Sequence, residues 1–497
     1  MKSLRPGIYL LFLLLTIFGC GKEEQPAYIG KPAIEIRNCT TKDNIVTLTI
    51  ASINCDAVYG LAVKASSGGT TSAERIVSEG IKAVKDTLRF TGLDAGTEHK
   101  AYIVGVKGDM CSAVMSTSFY TPTENGTIND KSLIFADLDL LAGGSSYKKP
   151  HNWDEERLKP HVVFRDRLGK EEWLHEAFLF IGGMDYSRGT VLCITSDGKS
   201  ANKDSWEDFI DYWFRDGTGV LDMLDLTIAN AKSRIGEPPF RHAVVITMPD
   251  PIRFEYFGKK TNTKYWGAID GRQMDFSKVE DQVMAYKWYI GKVLERWKQS
   301  APNHLRLAGF YILSEELVAK PSGWNYKYKE WDKILPPVSE YIHSLGDYGL
   351  YWIPYYMADG HDMTRQLGID MTYMQPNKYW DYNNEKPWST IFDAMDTYGL
   401  GMELEFEGTH GEDLKPCTSI LEKLSNGADN PRAAVNKSLF RDYMNSFKKA
   451  GYYGKKPIAI YSGTNAMYEL AASNEPEDVD MYEEYCRFII DSPLRKQ

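Results

Sequence analysis

Residues 399–410 read GLGMELEFEGTH and place Glu403, Glu405 and Glu407 at every second position. Successive side chains of a strand point to opposite faces, so the three carboxylates share one face and Met402, Leu404 and Phe406 the other. A second acidic pair, Glu315-Glu316, ends the apolar run GFYILSEEL. Carboxylates on opposite sides of a cleft suit glycosidic bond cleavage. One protonates the leaving oxygen, and the other attacks the anomeric carbon or activates water. Carboxylates crowded on one face also suit a cation or internal salt bridges, although no EF-hand spacing is present.

A strand with acids on one face and apolar residues on the other fits a barrel wall around a polar cleft. The chain after residue 130 divides into eight strand candidates: 133–141, 177–184, 243–248, 307–313, 350–357, 369–375, 401–406 and 457–462. Between them lie amphipathic spacings, such as Trp206, Phe209, Ile210 and Trp213 within 204–214. Eight β–α alternations predict a (β/α)8 barrel, with a doubly wound sheet as the structural alternative. Only 358–367 separates the fifth and sixth strands, so that crossing requires a short or degenerate helix.

In such barrels chemistry sits where the strands end. Polar residues near those ends are Asp137 and Asp139, Asp185, Asp250, Glu315 and Glu316, Tyr355, Tyr356 and Asp359, Gln375 and Asn377, the three glutamates, and Ser462 with Asn465. Asp137, Asp185, Asp250, Tyr355, Tyr356, Tyr373, Gln375, Asn377 and Trp380 are the substrate-binding candidates. The aromatic ones among them, with Trp324 and Trp388, would stack on sugar rings. The competing reading is core packing for each aromatic, and an acidic first helical turn for Glu315 and Glu316.

The 497 residues carry a net charge of −10 and no long basic run, which argues against a nucleic-acid partner. HExxH, GxSxG, Walker and GxGxxG motifs are missing, so no cofactor and no metal is expected. The seven cysteines form no CxxC pair; Cys39, Cys55 and Cys111 either hold one disulfide or are free thiols.

The N-terminus has Lys2 and Arg5 before an apolar run over 8–18, too short to span a bilayer. It ends in Ile17-Phe18-Gly19-Cys20, which resembles the lipobox of bacterial lipoproteins. The resemblance implies a signal peptide over 1–19, lipidation of Cys20 and a tether over 20–32, with the membrane met only through the lipid. Gly21-Lys22-Glu23-Glu24 resembles the surface-export signal of Bacteroidota lipoproteins, so the expected location is the outer membrane, at the cell surface or periplasmic face. Residues 33–122 alternate in short strands with turn signals and predict an all-β sandwich. There, 93–99 resembles the E–F corner of fibronectin type III domains, with His99 where that family has Tyr. A polar linker over 121–130 precedes a barrel domain over 131–497.

Acids at strands four and seven resemble the clan A glycoside hydrolases. That resemblance implies Glu315, or its neighbour Glu316, as acid/base, and Glu405, or its neighbour Glu407, as nucleophile. The family has Asn before the acid/base, where this chain has Ser314. Glu403, deeper in the barrel, would be structural or tune its neighbours. GFYILSEEL, YWIPYYMADG, DMTYMQPNKYW and MELEFEG together resemble a family of Bacteroidota lipoproteins, the domain of unknown function 4855. The resemblance implies a barrel in a glycan-utilisation setting. The expected function is a retaining glycoside hydrolase acting on a glycan, with a non-catalytic glycan-binding lipoprotein as the alternative.

Overall fold

The computed structural model describes residues 31–42, 45–64, 71–94, 97–121, 133–143, 153–194, 198–256, 259–317, 330–378, 387–409, 417–463 and 465–496. The expected leader with Cys20, residues 122–130 of the expected linker over 121–130, Trp324, Trp380 and His410 lie outside them. No helix among the described residues is long and apolar enough to cross a membrane.

The first domain is built of antiparallel sheets. Ala33–Lys42, Ile45–Ile53 and Thr87–Phe90 form one, and Ala57–Lys64 pairs Glu98–Lys107 in the other. Alternation puts Val46, Leu48 and Ile50 inward, against Val58, Leu88, Ala101 and Ile103. His99 is buried and stacks on Phe119, with centroids 5.6 Å apart. Its role there is packing. Cys39, Cys55 and Cys111 are free thiols.

The second domain is a closed barrel of eight parallel strands. In chain order they are β1 Asp137–Ala142, β2 Ala177–Ile181, β3 His242–Met248, β4 Leu305–Ile312, β5 Gly349–Trp352, β6 Met371–Met374, β7 Gly401–Glu405 and β8 Ile458–Tyr461. Every predicted strand is present, mostly shorter than its apolar run. The helices around them are α1 Glu155–Val162, α2 Lys203–Phe214, α3 Val220–Ile235, α4 Val279–Ser300, α5 Trp331–Leu345, α6 Trp388–Tyr398, α7 Ala433–Lys449, α8 Ala466–Ala472 and α9 Pro476–Ile490. The crossing from β5 to β6 holds only a 3-10 turn, His361–Met363, as its ten-residue length required.

The helical apolar stripes clamp the barrel. The side chain of Asn202 caps α2 by accepting from the Ser205 amide, 3.0 Å away. Below that cap, Trp206, Phe209, Ile210 and Trp213 are all buried. Each such side chain stabilises the packing by about 1.5–3 kcal/mol, so this face rather than helix propensity holds α2 in place. Between β4 and β5, Gly309 allows the backbones to touch: a Cβ there would lie 2.0 Å from the Gly349 carbonyl oxygen. The β3–β4 register also shifts at this point. Gly309 thus sets the path of the strand that delivers Glu315.

A candidate active site at the ends of β4 and β7

In β7 the predicted faces hold. Met402, Leu404 and Phe406 pack into the helix layer against Phe440, Tyr443 and Tyr485. Glu403 and Glu405 therefore face the barrel interior, both at most 2 % exposed. Glu405 closes the strand, and its Oε2 accepts from the Asn377 amide at 2.9 Å and from the Tyr443 hydroxyl. Tyr443 Oη in turn accepts from the Lys378 amide at 3.0 Å. Glu405 Oε1 has no hydrogen-bond partner among the described residues. Asn377 adopts a left-handed backbone, φ 55°, which aims its amide at the carboxylate.

Glu315 follows β4. The turn is fixed by Ser314, whose hydroxyl donates to the Glu316 carbonyl at 3.0 Å and whose carbonyl accepts from the Trp352 indole at 2.8 Å. Gln375 Nε2 donates to Glu315 Oε1 at 3.2 Å and to the Ile353 carbonyl at 3.2 Å. Solvent reaches Glu315 although protein surrounds it, as expected of a residue lining a cleft.

These carboxyls sense one another. Burial raises Glu315, tempered by the Gln375 bond. Glu405 stands at about 8, raised first by burial and further by Glu315 against the pull of the Tyr443 and Asn377 donors. Glu403 stands well above the ordinary carboxylate range, first through burial and then through Glu405 and Glu315. Tyr311 of β4 lies among them: its phenol is raised by burial and then by Glu315, Glu403, Cys193 and Asp250. The site is thus polar and crowded, and the charge of each carboxyl bears on the ionisation of the others.

Other candidates separate from this centre. Glu316 sits beside it and accepts from Tyr355 Oη at 3.1 Å, and Tyr355 is raised to about 12, chiefly by burial. Glu407 turns to the wall, accepting from the Thr418 hydroxyl at 3.0 Å. Asp137 begins β1, at the opposite end of the barrel, with the Glu176 amide at 2.9 Å and Arg495 Nε at 3.3 Å. Tyr373 is fully buried near the same end, where Glu176 and Asp137 act on its phenol, so it offers no sugar platform. Asp185 caps its own turn through Ser187, and Tyr356 is half-buried, packed against the core. Asp250 is buried and accepts from the Ile194 amide at 2.8 Å. Trp388 lies behind the cleft, with its ring 5.0 Å from that of Tyr443. Among the described residues, the carboxylates of the cleft do not converge on a common ion position. Sequence reading missed Tyr443 and Tyr311. Tyr311 is the one with a signal, since it precedes Ser314-Glu315 on the same strand at an inward position.

Barrel and cleft define a (β/α)8 protein with paired carboxylates at the ends of strands four and seven. The family model of the domain of unknown function DUF4855 matches residues 137–487, and the chain belongs to that family. No curated protein matches it. Similar solved structures are glycoside hydrolases. A β-D-glucuronidase from Dictyoglomus thermophilum is 9% identical with a TM-score of 0.33, covering 87% of this chain and 62% of its own. A multi-modular cell-surface chitinase from Paenibacillus sp. is 10% identical with a TM-score of 0.37, covering 92% and 41%. The Ruminococcus gnavus β-glucuronidase is 9% identical with a TM-score of 0.32, covering 87% and 61%. The chain thus spans less than two thirds of the length of each.

Proposed function

We propose that this protein is a retaining glycoside hydrolase, carried on a lipid anchor at Cys20, with Glu315 as acid/base and Glu405 as nucleophile. The observation that carries the reading is the division of labour on Glu405: Asn377 and Tyr443 hold Oε2, Oε1 is buried with no hydrogen-bond donor among the described residues, and Glu315 is close enough to act on the same carboxylate. Glu315 would give its proton to the glycosidic oxygen while Glu405 Oε1 attacks the anomeric carbon, forming a glycosyl ester and releasing the aglycone. Glu315 would then take a proton from water as that water attacks the anomeric carbon, freeing Glu405 and the sugar with retained configuration. Glu405, raised to about 8 chiefly by burial, must ionise before it attacks; the Tyr443 and Asn377 donors favour that form, and a protonated Glu315 no longer pushes it upward.

The test is a panel of aryl glycosides and polysaccharides, with the first-formed anomer read by NMR. Retention is expected, with losses of about a thousandfold or more in Glu405→Gln and Glu315→Gln. In Glu315→Gln the loss should shrink for substrates with good leaving groups, which need no acid. Full activity in both variants would overturn the mechanism. Glycan binding that survives both substitutions, with no sugar released by the wild type, would assign the chain as a glycan-binding protein instead.

A further inference from the structure

Outside the cleft, three buried side chains converge in the layer between barrel and helices. Asp139 of β1 pairs in register with Ile460, which pairs with Leu404. Leu404 faces the helix layer, so Asp139 does too. His161 of α1 brings Nδ1 to 2.6 Å from Asp139 Oδ2, and His175, just before β2, brings Nδ1 to 3.2 Å from the same oxygen. One donor atom from each residue lies within 4.8 Å of the others. None of the three residues is more than 2 % exposed. Asp139 Oδ1 and His161 Nε2 are buried without a hydrogen-bond partner among the described residues. The carboxylate chemistry of the cleft uses none of them.

We propose that Asp139, His161 and His175 form a structural site for one first-row divalent cation of the zinc type. Two imidazoles and one carboxylate are a donor set for zinc, whereas calcium and magnesium take all-oxygen sets. Donors about 2.0–2.2 Å from a common ion stand roughly 3–3.6 Å apart; against the 2.6 and 3.2 Å from Asp139 Oδ2 to the two imidazoles, small side-chain rotations would complete the geometry. An outer partner is also in place. His175 Nε2 meets the Tyr485 hydroxyl at 2.7 Å, which fixes that ring as metal-bound imidazoles are usually fixed. One bond competes with the ion: His175 Nδ1 also lies 2.8 Å from the His161 carbonyl. The burial of all three residues favours a structural ion over a catalytic one, which needs an open position. Its place would be to tie β1, α1, the entry to β2 and α9 together, joining residues 139 and 485 across the domain.

The experiment uses the full chain purified through a tag without histidines. Elemental analysis after gel filtration should find about one zinc per chain. A strong chelator should lower the melting temperature, and zinc, not magnesium, should restore it. Cobalt loaded into the stripped protein should give visible d–d bands that disappear in His161→Gln. No bound metal, together with a melting temperature unmoved by chelator and by zinc, would overturn the proposal and leave a plain ion-pair network. Cobalt bands that persist in His161→Gln would overturn it as well. The chelator arm reads the wild type alone, so a variant that fails to fold leaves the test intact.

Discussion

Tyr443 donates a hydrogen bond to Glu405 Oε2 while accepting one from the Lys378 amide, 3.0 Å away. A donor on a carboxylate favours its charged form, so Tyr443 holds Glu405 below where burial alone would put it. Tyr443→Phe removes that donor. Glu405 should then ionise at higher pH, and the acidic limb of the kcat/KM profile should move upward. A hydrogen bond to a charged group contributes about 1.5–3 kcal/mol, so the loss at low pH should be roughly 10- to 150-fold. A variant with a lower melting temperature and an unmoved profile would show Tyr443 to be scaffolding only.

Glu407 provides the contrast. It shares strand parity with Glu405 but is held by the Thr418 hydroxyl at 3.0 Å. Glu407→Gln keeps an acceptor for Thr418 and should leave kcat within about twofold of the wild type, since no transition-state contact is lost. Glu407→Ala should cost about 1–3 kcal/mol of stability, because it strands buried polar groups. Activity and denaturation measured on one preparation separate the two effects. A thousandfold loss in Glu407→Gln would move the nucleophile from Glu405 to Glu407.

What the sequence could show follows from these two residues. The strand period is local, so the shared face of Glu403, Glu405 and Glu407 was legible, as were eight strands and the degenerate crossing at His361–Met363. Which acid stays in the cleft depends on where β7 stops, and pairing decides that: the strand ends at Glu405, and Glu407 joins the wall. Tyr443 contacts Glu405 across 38 positions from the middle of a helix, with no motif to mark it. Asp137 and Asp139 misled for a related reason. The apolar run before them is not strand, so they begin β1 rather than end it, and register turns Asp139 to the helix layer.

Glu176 offers a pH test remote from the chemistry. Burial and then Asp137 raise its carboxyl to about 7, against the pull of the Ala136 amide, 2.7 Å from Oε2. A carboxyl that binds its proton more tightly when folded contributes fully below its unfolded value. Its contribution is lost as pH rises through about 7. Glu176→Gln keeps the acceptor and cannot ionise. The variant should match the wild type near pH 4 and exceed it at pH 8.5 by on the order of 2–3 kcal/mol. Urea denaturation at the two pH values measures the gap, and equal gaps at both would refute a neutral Glu176 in the folded state.

Lys437 bears on the site through the helix that carries Tyr443. Its ammonium is buried in α7, 2.7 Å from the equally buried Asp478 of α9, with Glu422 as a second partner. Asp478 also accepts from the Ser473 hydroxyl at 2.7 Å and the Glu422 amide at 3.0 Å. Lys437→Met would strand that carboxylate in the interior, at a cost of about 3–5 kcal/mol. Asp478→Asn in the same chain removes the stranded charge and should recover part of the loss. Because Lys437 and Tyr443 share one helix, activity must be read well below the lowered melting temperature. There the Lys437→Met pH profile should coincide with that of the wild type, since the Tyr443–Glu405 bond is intact. A profile shifted like that of Tyr443→Phe would instead mean that the ion pair sets the position of α7 over the cleft, and that Tyr443 holds Glu405 only while Lys437 holds the helix.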